Sequence, residues 1–289
     1  MTRVLITGAS GLLGTAVRQR LEGTGHTVIP CHHNKNSGGE RLDITSAESV
    51  AEVFARTEPE VVVHCAAIPD VAQCEKDPDL ARLVNVDGTE LVATQATRIG
   101  ARLLHVSTDW VFAGDGDGGY RETDSPTPAQ EYGRSKLAAE QAAGSALIVR
   151  VPLLYGLGSQ PRPTWPAQVL TKLARGEEVR TDDEEIRQPA FVDDVARCFA
   201  DLITLGAKGI VHIAPQEQHT KLAWSRLLAE AVGAPTELIR PTPRPHWPTR
   251  PLRATLRTDR LAELGVTPPR GAAEVADTHR ASLADLLTT

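Results

Sequence analysis

The chain has 289 residues, 41% of them hydrophobic, which allows one large domain or one and a half with an ample core. A net charge of −6 argues against a general nucleic-acid binder, and no apolar run approaches the length of a membrane span. The four cysteines (Cys31, Cys65, Cys74, Cys198) have no CxxC spacing and read as free thiols of a reducing compartment.

The N-terminus enters a strand directly, with no secretory signal, so a cytoplasmic location is expected. No metal site is expected, because His32 and His33 have no matching pair elsewhere. Apolar runs at Val4–Thr7, Thr27–Pro30, Val61–Cys65, Arg102–Ser107 and Ala146–Val151 have strand length. They alternate with helical patterns at Leu12–Glu22, Ala47–Arg56, Leu80–Ile99 and Tyr132–Ala143. The strands are nearly continuous in Val, Ile and Leu, as expected where helices cover both faces of a parallel sheet. The pattern predicts an α/β fold, a Rossmann-type doubly wound sheet with right-handed crossovers.

Beyond Val151 the alternation loosens. Residues 156–166 read as a Gly/Pro-rich loop, Trp165–Arg175 as a helix, Glu178–Thr181 as a strand and Val192–Leu205 as a long amphipathic helix. Gly209–Ile213 reads as a strand, Ala223–Val232 as a helix, and the Pro/Arg-rich Arg240–Arg253 as irregular. These pieces suit a smaller C-terminal lid over the carboxyl edge of the sheet. Residues 1–152 with about 186–205 would form the dinucleotide-binding unit. About 153–185 with 206–289 would form the substrate-binding unit.

Within this frame three features carry chemistry. The first strand ends in Gly8-Ala-Ser-Gly11-Leu-Leu-Gly14 and a helix follows. Gly8 permits the tight turn, Gly11 a close approach of backbone to pyrophosphate, and Gly14 close helix–strand packing. The helix start offers free N–H groups and the positive end of its dipole to phosphates. The second strand then ends without an acid: Cys31-His32-His33-Asn34-Lys35 has no Asp or Glu before Glu40. A carboxylate would repel a ribose 2′-phosphate, whereas His33, Asn34 and Lys35 can donate to one, which favours NADPH. Read as a solvated polar loop, the same residues would tolerate NADH.

The third feature is Tyr132-Gly-Arg-Ser-Lys136 with Thr108 upstream. Tyr132 and Lys136 share a helix face one turn apart. A phenol titrates near ~10, too high for efficient proton exchange at neutral pH. An ammonium about 4 Å away, at an effective dielectric near ~20, favours the phenolate by roughly 4 kcal/mol. Lys136 is therefore expected to bring Tyr132 down by up to about three units, less whatever burial takes back. Thr108 would hold the substrate oxygen in line.

The ordered segments TGASGLLG (Thr7–Gly14), LDIT (Leu42–Thr45), VVVHCAA (Val61–Ala67), CEKDP (Cys74–Pro78), VNVDGT (Val84–Thr89), VSTDWVFAG (Val106–Gly114), YGRSKLAAE (Tyr132–Glu140) and RVPLLYG (Arg150–Gly156) resemble an extended short-chain dehydrogenase/reductase. FVDDVA (Phe191–Ala196) and RPLRATLRTDRL (Arg250–Leu261) extend the resemblance to the branch of dTDP-4-dehydrorhamnose reductase-like nucleotide-sugar ketoreductases. The resemblance implies that Tyr132 is the general acid, Lys136 its tuner and the ribose anchor, and Thr108 the group that polarises the carbonyl. It implies cofactor contacts from Gly8, Ser10, Gly11, Leu12 and Leu13 at the pyrophosphate, Asp43 and Ile44 at the adenine, and Cys65, Ala66 and Ala67 beside the ribose. Asn85 either fixes the backbone behind Thr108 or packs as a helix amide. Trp110 and Phe112 either border the sugar or base or pack as buried aromatics. Tyr155, Arg187 and Arg250 resemble the family's sugar and diphosphate contacts, and a solvated surface arginine is the other reading of Arg250. His105 reads as a packed residue.

The implied activity is NADPH-dependent reduction of the 4-keto group of a nucleotide-activated, dTDP-linked 4-keto-6-deoxyhexose. No metal, nucleic acid or membrane is implied, and a homodimer is open. Two alternatives stand beside it. Epimerases and dehydratases use the same trio, but dehydratases carry an acidic pair after the Thr, and here Asp109-Trp110 follows. The regulatory subunit of methionine adenosyltransferase has the same fold and binds NADP without catalysis.

Overall fold

The computed structural model describes residues 1–33, 38–157, 163–243 and 250–287. Its frame is a seven-stranded sheet, all parallel. The strands are β1 (Arg3–Thr7), β2 (Thr27–His32), β3 (Glu40–Arg41), β4 (Val61–His64), β5 (Arg102–Thr108), β6 (Leu147–Val151) and the strand Ile210–His212. Across the sheet the order runs Ile210–His212, β6, β5, β4, β1, β2, β3. The chain reverses its winding between β1 and β4, so a crevice opens where their carboxyl ends diverge.

The apolar runs are continuous because both faces are covered. Val4 and Ile6 of β1 enter one core, Leu5 the other, and β4 divides Val61 and Val63 from Val62 in the same way. On the first face lie α1 (Leu12–Glu22) and α8 (Val192–Leu205); on the second lie α2 (Ala47–Thr57) and α5 (Gly88–Ile99). The predicted α1 and α8 have the observed bounds, and the other strand and helix ends differ by a residue or two.

The expected single helix Leu80–Ile99 is in fact several pieces. Ahead of it lies a short α3 (Val71–Lys76), capped by Asp70, which accepts from Gln73 N–H at 3.0 Å. Asp77 then caps α4 (Pro78–Arg82), accepting from Leu80 N–H at 3.0 Å, with proline in the first turn where no N–H is needed. A π-turn at Leu83–Asp87 follows, and α5 starts only at Gly88. Residues from 206 onward were expected in the lid, yet Ile210–His212 pairs with β6 and completes the central sheet.

The lid has its own core. Tyr155 meets Phe191 at a tilt and Trp224 edge-on at its centre, with α7 (Trp165–Ala174) and α9 (Lys221–Ala231) around them. Three separate two-stranded pairs accompany it: Leu154–Tyr155 with Ala190–Phe191, Val179–Thr181 with Ile239–Pro241, and Ile186–Arg187 with His219–Thr220. Among the described residues no helix is long and apolar enough to cross a membrane.

Candidate active site

The glycine turn lies at the crevice. Gly8 sits at φ +64°, and a Cβ there would come within 2.8 Å of the Ala66 backbone nitrogen. A side chain at Gly14 would strike the Gly8 carbonyl, so α1 leaves the sheet at close range. Gly11 caps α1 without any side-chain hydrogen bond, which leaves the first-turn N–H groups open to a ligand. Ser10 and Gly11 are exposed on this turn, and Leu12, Cys65, Ala66 and Ala67 are half-buried around it. Behind it Thr7 Oγ1 accepts from Ala66 N–H at 3.1 Å and meets His64 Nδ1 at 2.7 Å, tying the ends of β1 and β4 together. A bare helix start beside a crowded, side-chain-free turn fits a dinucleotide pyrophosphate.

Toward the adenine end the picture is mixed. Asp43 folds back on its own turn, accepting from Thr45 N–H at 3.0 Å and Thr45 Oγ1 at 2.6 Å, and these bonds hold its carboxyl below the usual range. Leu13 and Ile44 are buried, one in each core. His33 is exposed, and Asn34 and Lys35 lie outside the described residues.

The trio converges at the carboxyl end of β5. Thr108 is its last residue and caps the short turn Asp109–Val111, accepting from Trp110 N–H at 3.2 Å. Tyr132 lies in the first turn of α6 (Glu131–Ala142), with its hydroxyl close enough to that of Thr108 to feel it. Lys136, one turn on, is buried and donates to the Val106 carbonyl at 2.7 Å, with His105 Nε2 3.4 Å away.

Lys136 does not lower the Tyr132 pKa as expected from its spacing. Its ammonium is drawn to Val106, and burial pushes the phenol up, with the neighbouring Thr108 hydroxyl opposing this. Burial also brings Lys136 down to about 8, and it keeps His64 and His105 neutral, the former at about 3. Asp109 is pushed up to about 6 by burial, against the pull of Arg187.

Facing the trio is a wall the sequence half-disclosed. Trp110 meets Tyr132 edge-on at 6.1 Å, and the guanidinium carbons of Arg187 and Arg250 lie 5.4 and 5.6 Å from its ring centre. Both arginines share Glu185, at 2.9 and 2.5 Å. Phe112 and Tyr155 do not belong to this wall. Phe112 is fully buried, stacked on Tyr120 at 4.2 Å and capped by Arg150; Tyr155 is buried at the lid core against Phe191 and Trp224.

Asn85 fixes the backbone of the loop after β4 and also reaches α6. It accepts from Ile68 N–H at 2.8 Å and donates to Ser135 Oγ at 3.0 Å, and Ser135 donates to the Tyr132 carbonyl at 2.8 Å. The π-turn is what aims Asn85 inward. Sequence reasoning missed Ser135 and Asp109, although both lie within the quoted motifs.

A doubly wound parallel sheet, a glycine turn at its switch point and Thr, Tyr and Lys gathered at its carboxyl edge define an extended short-chain dehydrogenase/reductase. The chain belongs to the family described as RmlD substrate binding domain, whose model matches residues 1–282. It is 32% identical over 282 residues to dTDP-4-dehydrorhamnose reductase of Mycolicibacterium smegmatis, covering 93% of this chain and 82% of that protein. It is 33% identical over 279 residues to methionine adenosyltransferase 2 subunit beta of Xenopus tropicalis, covering 91% and 83%. The crystal structure of dTDP-4-dehydrorhamnose reductase from Bacillus anthracis in complex with NADP superposes with a TM-score of 0.86 at 28% identity, covering 96% of this chain and 98% of that one.

Proposed function

We infer that this protein is an NADPH-dependent ketoreductase acting on the 4-keto group of a nucleotide-linked, dTDP-activated 4-keto-6-deoxyhexose. One observation carries the reading: the Tyr132 and Thr108 hydroxyls lie together at the mouth of the glycine cradle, facing the arginine-clamped Trp110.

Bound NADPH would supply the hydride. The residues of the chain do the rest. Gly8, Ser10 and Gly11 would hold the pyrophosphate at the start of α1, and Ala66 and Ala67 leave room for the ribose. Tyr132 would deliver the proton to the forming alkoxide, and Thr108 would hold that oxygen. Lys136 would anchor the nicotinamide ribose and, meeting a bound coenzyme rather than only Val106, favour the phenolate left behind. Arg187 and Arg250 suit a diphosphate, since a planar guanidinium matches its oxygens. In this reading the lid consists of residues 153–185 and those after 213.

The test is to mix the protein with NADPH and a dTDP-4-keto-6-deoxyhexose and follow the absorbance of the reduced coenzyme. Oxidation that depends on the sugar supports the reading. No oxidation across several keto-sugars, with tight capture of a partner protein, would instead favour a regulatory subunit like the Xenopus relative.

A further inference from the structure

Thr108 has one hydroxyl hydrogen and three neighbours that compete for its oxygen. Oγ1 donates to Asp109 Oδ1 at 3.0 Å, accepts from Trp110 N–H at 3.2 Å, and has the Tyr132 hydroxyl beside it. A threonine hydroxyl is one donor with two acceptor sites. While Asp109 is ionised, the single donor is used on the carboxylate, Trp110 N–H takes one acceptor site, and the other is left for the Tyr132 proton. Thr108 then has nothing to offer a ketone oxygen, and the Tyr132 proton points at Thr108.

A proton on Asp109 reverses this. The carboxylic O–H donates to Oγ1, the Trp110 N–H keeps the second acceptor site, and the Thr108 hydrogen is released toward the cleft. Tyr132, displaced from Oγ1, turns its own proton to the same place. Two donors then converge where a carbonyl oxygen would sit.

We propose that Asp109 is a positioning residue that sets the direction of the Thr108 hydroxyl, arming Thr108 and Tyr132 as paired donors to the substrate ketone when it carries a proton and disarming them when it does not. The proposal rests on the ketoreductase reading above.

The surroundings of Asp109 make both states accessible. The residue is 4% exposed, and burial brings its acid up to about 6. Tyr132 faces it from α6, Arg187 from the strand Ile186–Arg187, and Trp110 N–H from its own turn. Arg187 is itself divided between Asp109, Glu185 and Asp182, with Arg250 opposing it. An anionic group bound at Arg187 and Arg250 would weaken the hold of Arg187 on the Asp109 carboxylate and shift Asp109 toward its acid form. Arrival of a phosphorylated substrate would thus arm the donors at the reacting end.

Asp109→Asn is the informative variant, because the amide Nδ2 donates to Thr108 at every pH. Wild-type kcat should fall about tenfold per pH unit above the Asp109 pKa, whereas Asp109→Asn should be flat over the same range, with KM for the keto-sugar unchanged within about threefold. Carboxyl-carbon NMR reads the protonation without turnover: one aspartate resonance should titrate near or above the value given and vanish in Asp109→Asn. Should that variant fail to fold, Asp109→Glu assigns the resonance and should keep a displaced pH limb. A wild-type limb that persists in Asp109→Asn, or an Asp109 resonance that does not titrate there, overturns the proposal. A wild type that consumes no NADPH with any keto-sugar overturns the functional reading instead, and the NMR titration tells the two failures apart.

Discussion

Tyr132 and Lys136 show what spacing can and cannot disclose. Four positions on a helix put them on one face, as the sequence implied. The destination of the ammonium was not legible, because the Val106 carbonyl that accepts from it lies on β5, brought there by the fold. Phe112, left open between pocket and core, and Tyr155, expected at the pocket, both pack in the interior for a related reason. Phe112 and Tyr155 look like cleft residues because they follow cleft motifs, but which side of a turn an aromatic faces is decided by its tertiary neighbours. We expect Tyr132→Phe to lose about 10²–10⁴-fold in turnover while still binding coenzyme, since only the proton donor is removed. Steady-state kinetics beside a coenzyme titration checks this, and near-normal turnover would remove Tyr132 from the chemistry. Lys136 yields a stability prediction. Its folded pKa, near 8, lies below the unfolded value, so the unfolded chain binds more protons between the two and stability rises with pH through that window. At neutral pH the buried ammonium costs roughly 3 kcal/mol at most. Lys136→Met should therefore melt higher than wild type at pH 7, with the lead shrinking above about pH 8, even as turnover is lost. A lead that is constant with pH would contradict the burial argument.

The elements of the sheet were legible because their signal is local: continuous Val, Ile and Leu between turn residues. The stretch after β4 was not, because two opposing signals overlap there. Its helical periodicity runs on toward Ile99, while Asp70 starts one short helix and Asp77 with Pro78 starts another. The π-turn is invisible to periodicity altogether. Its extra residue turns Asn85 inward, where one amide supports both the Ile68 backbone and, through Ser135, the start of α6. Asn85→Ala would leave the Ile68 N–H and carbonyl without that partner. A loss of about 1–3 kcal/mol is expected from unsatisfied buried groups. Because the same amide braces the turn that carries Tyr132, kcat should fall as well. Urea unfolding with kinetics on the same variant tests the coupling. A stability loss with unchanged kcat would confine Asn85 to packing.

At the scale of the whole molecule, the helix that carries Tyr132 and Lys136 must be fixed to a sheet whose last strand returns from the C-terminal part of the chain. The fixture is a buried ion pair. Arg150 on β6 donates to both Glu140 oxygens, at 2.9 and 2.8 Å, and Ser107 on β5 donates to Glu140 Oε1 at 2.5 Å. Arg150 also lies over Phe112 and 3.4 Å from His212 of the strand Ile210–His212, so one guanidinium joins α6, three strands and the aromatic cluster beneath Thr108. Glu140 reaches the chemistry too, as the leading influence that keeps Lys136 charged against its burial. Removing one partner of such a pair strands the other charge in the interior, which destabilises by about 3–5 kcal/mol, whereas replacing both by apolar groups is often close to neutral. Glu140→Ala should therefore be strongly destabilised, and the double variant Glu140→Leu/Arg150→Met should recover much of that loss. The recovery should stop short of function: without Glu140 the Lys136 pKa falls further, so the double variant should melt near wild type yet bind coenzyme weakly at neutral pH. Denaturant unfolding and coenzyme titration on the single and double variants decide it. A single variant within about 1 kcal/mol of wild type would mean that water reaches the pair and that α6 is held by packing alone.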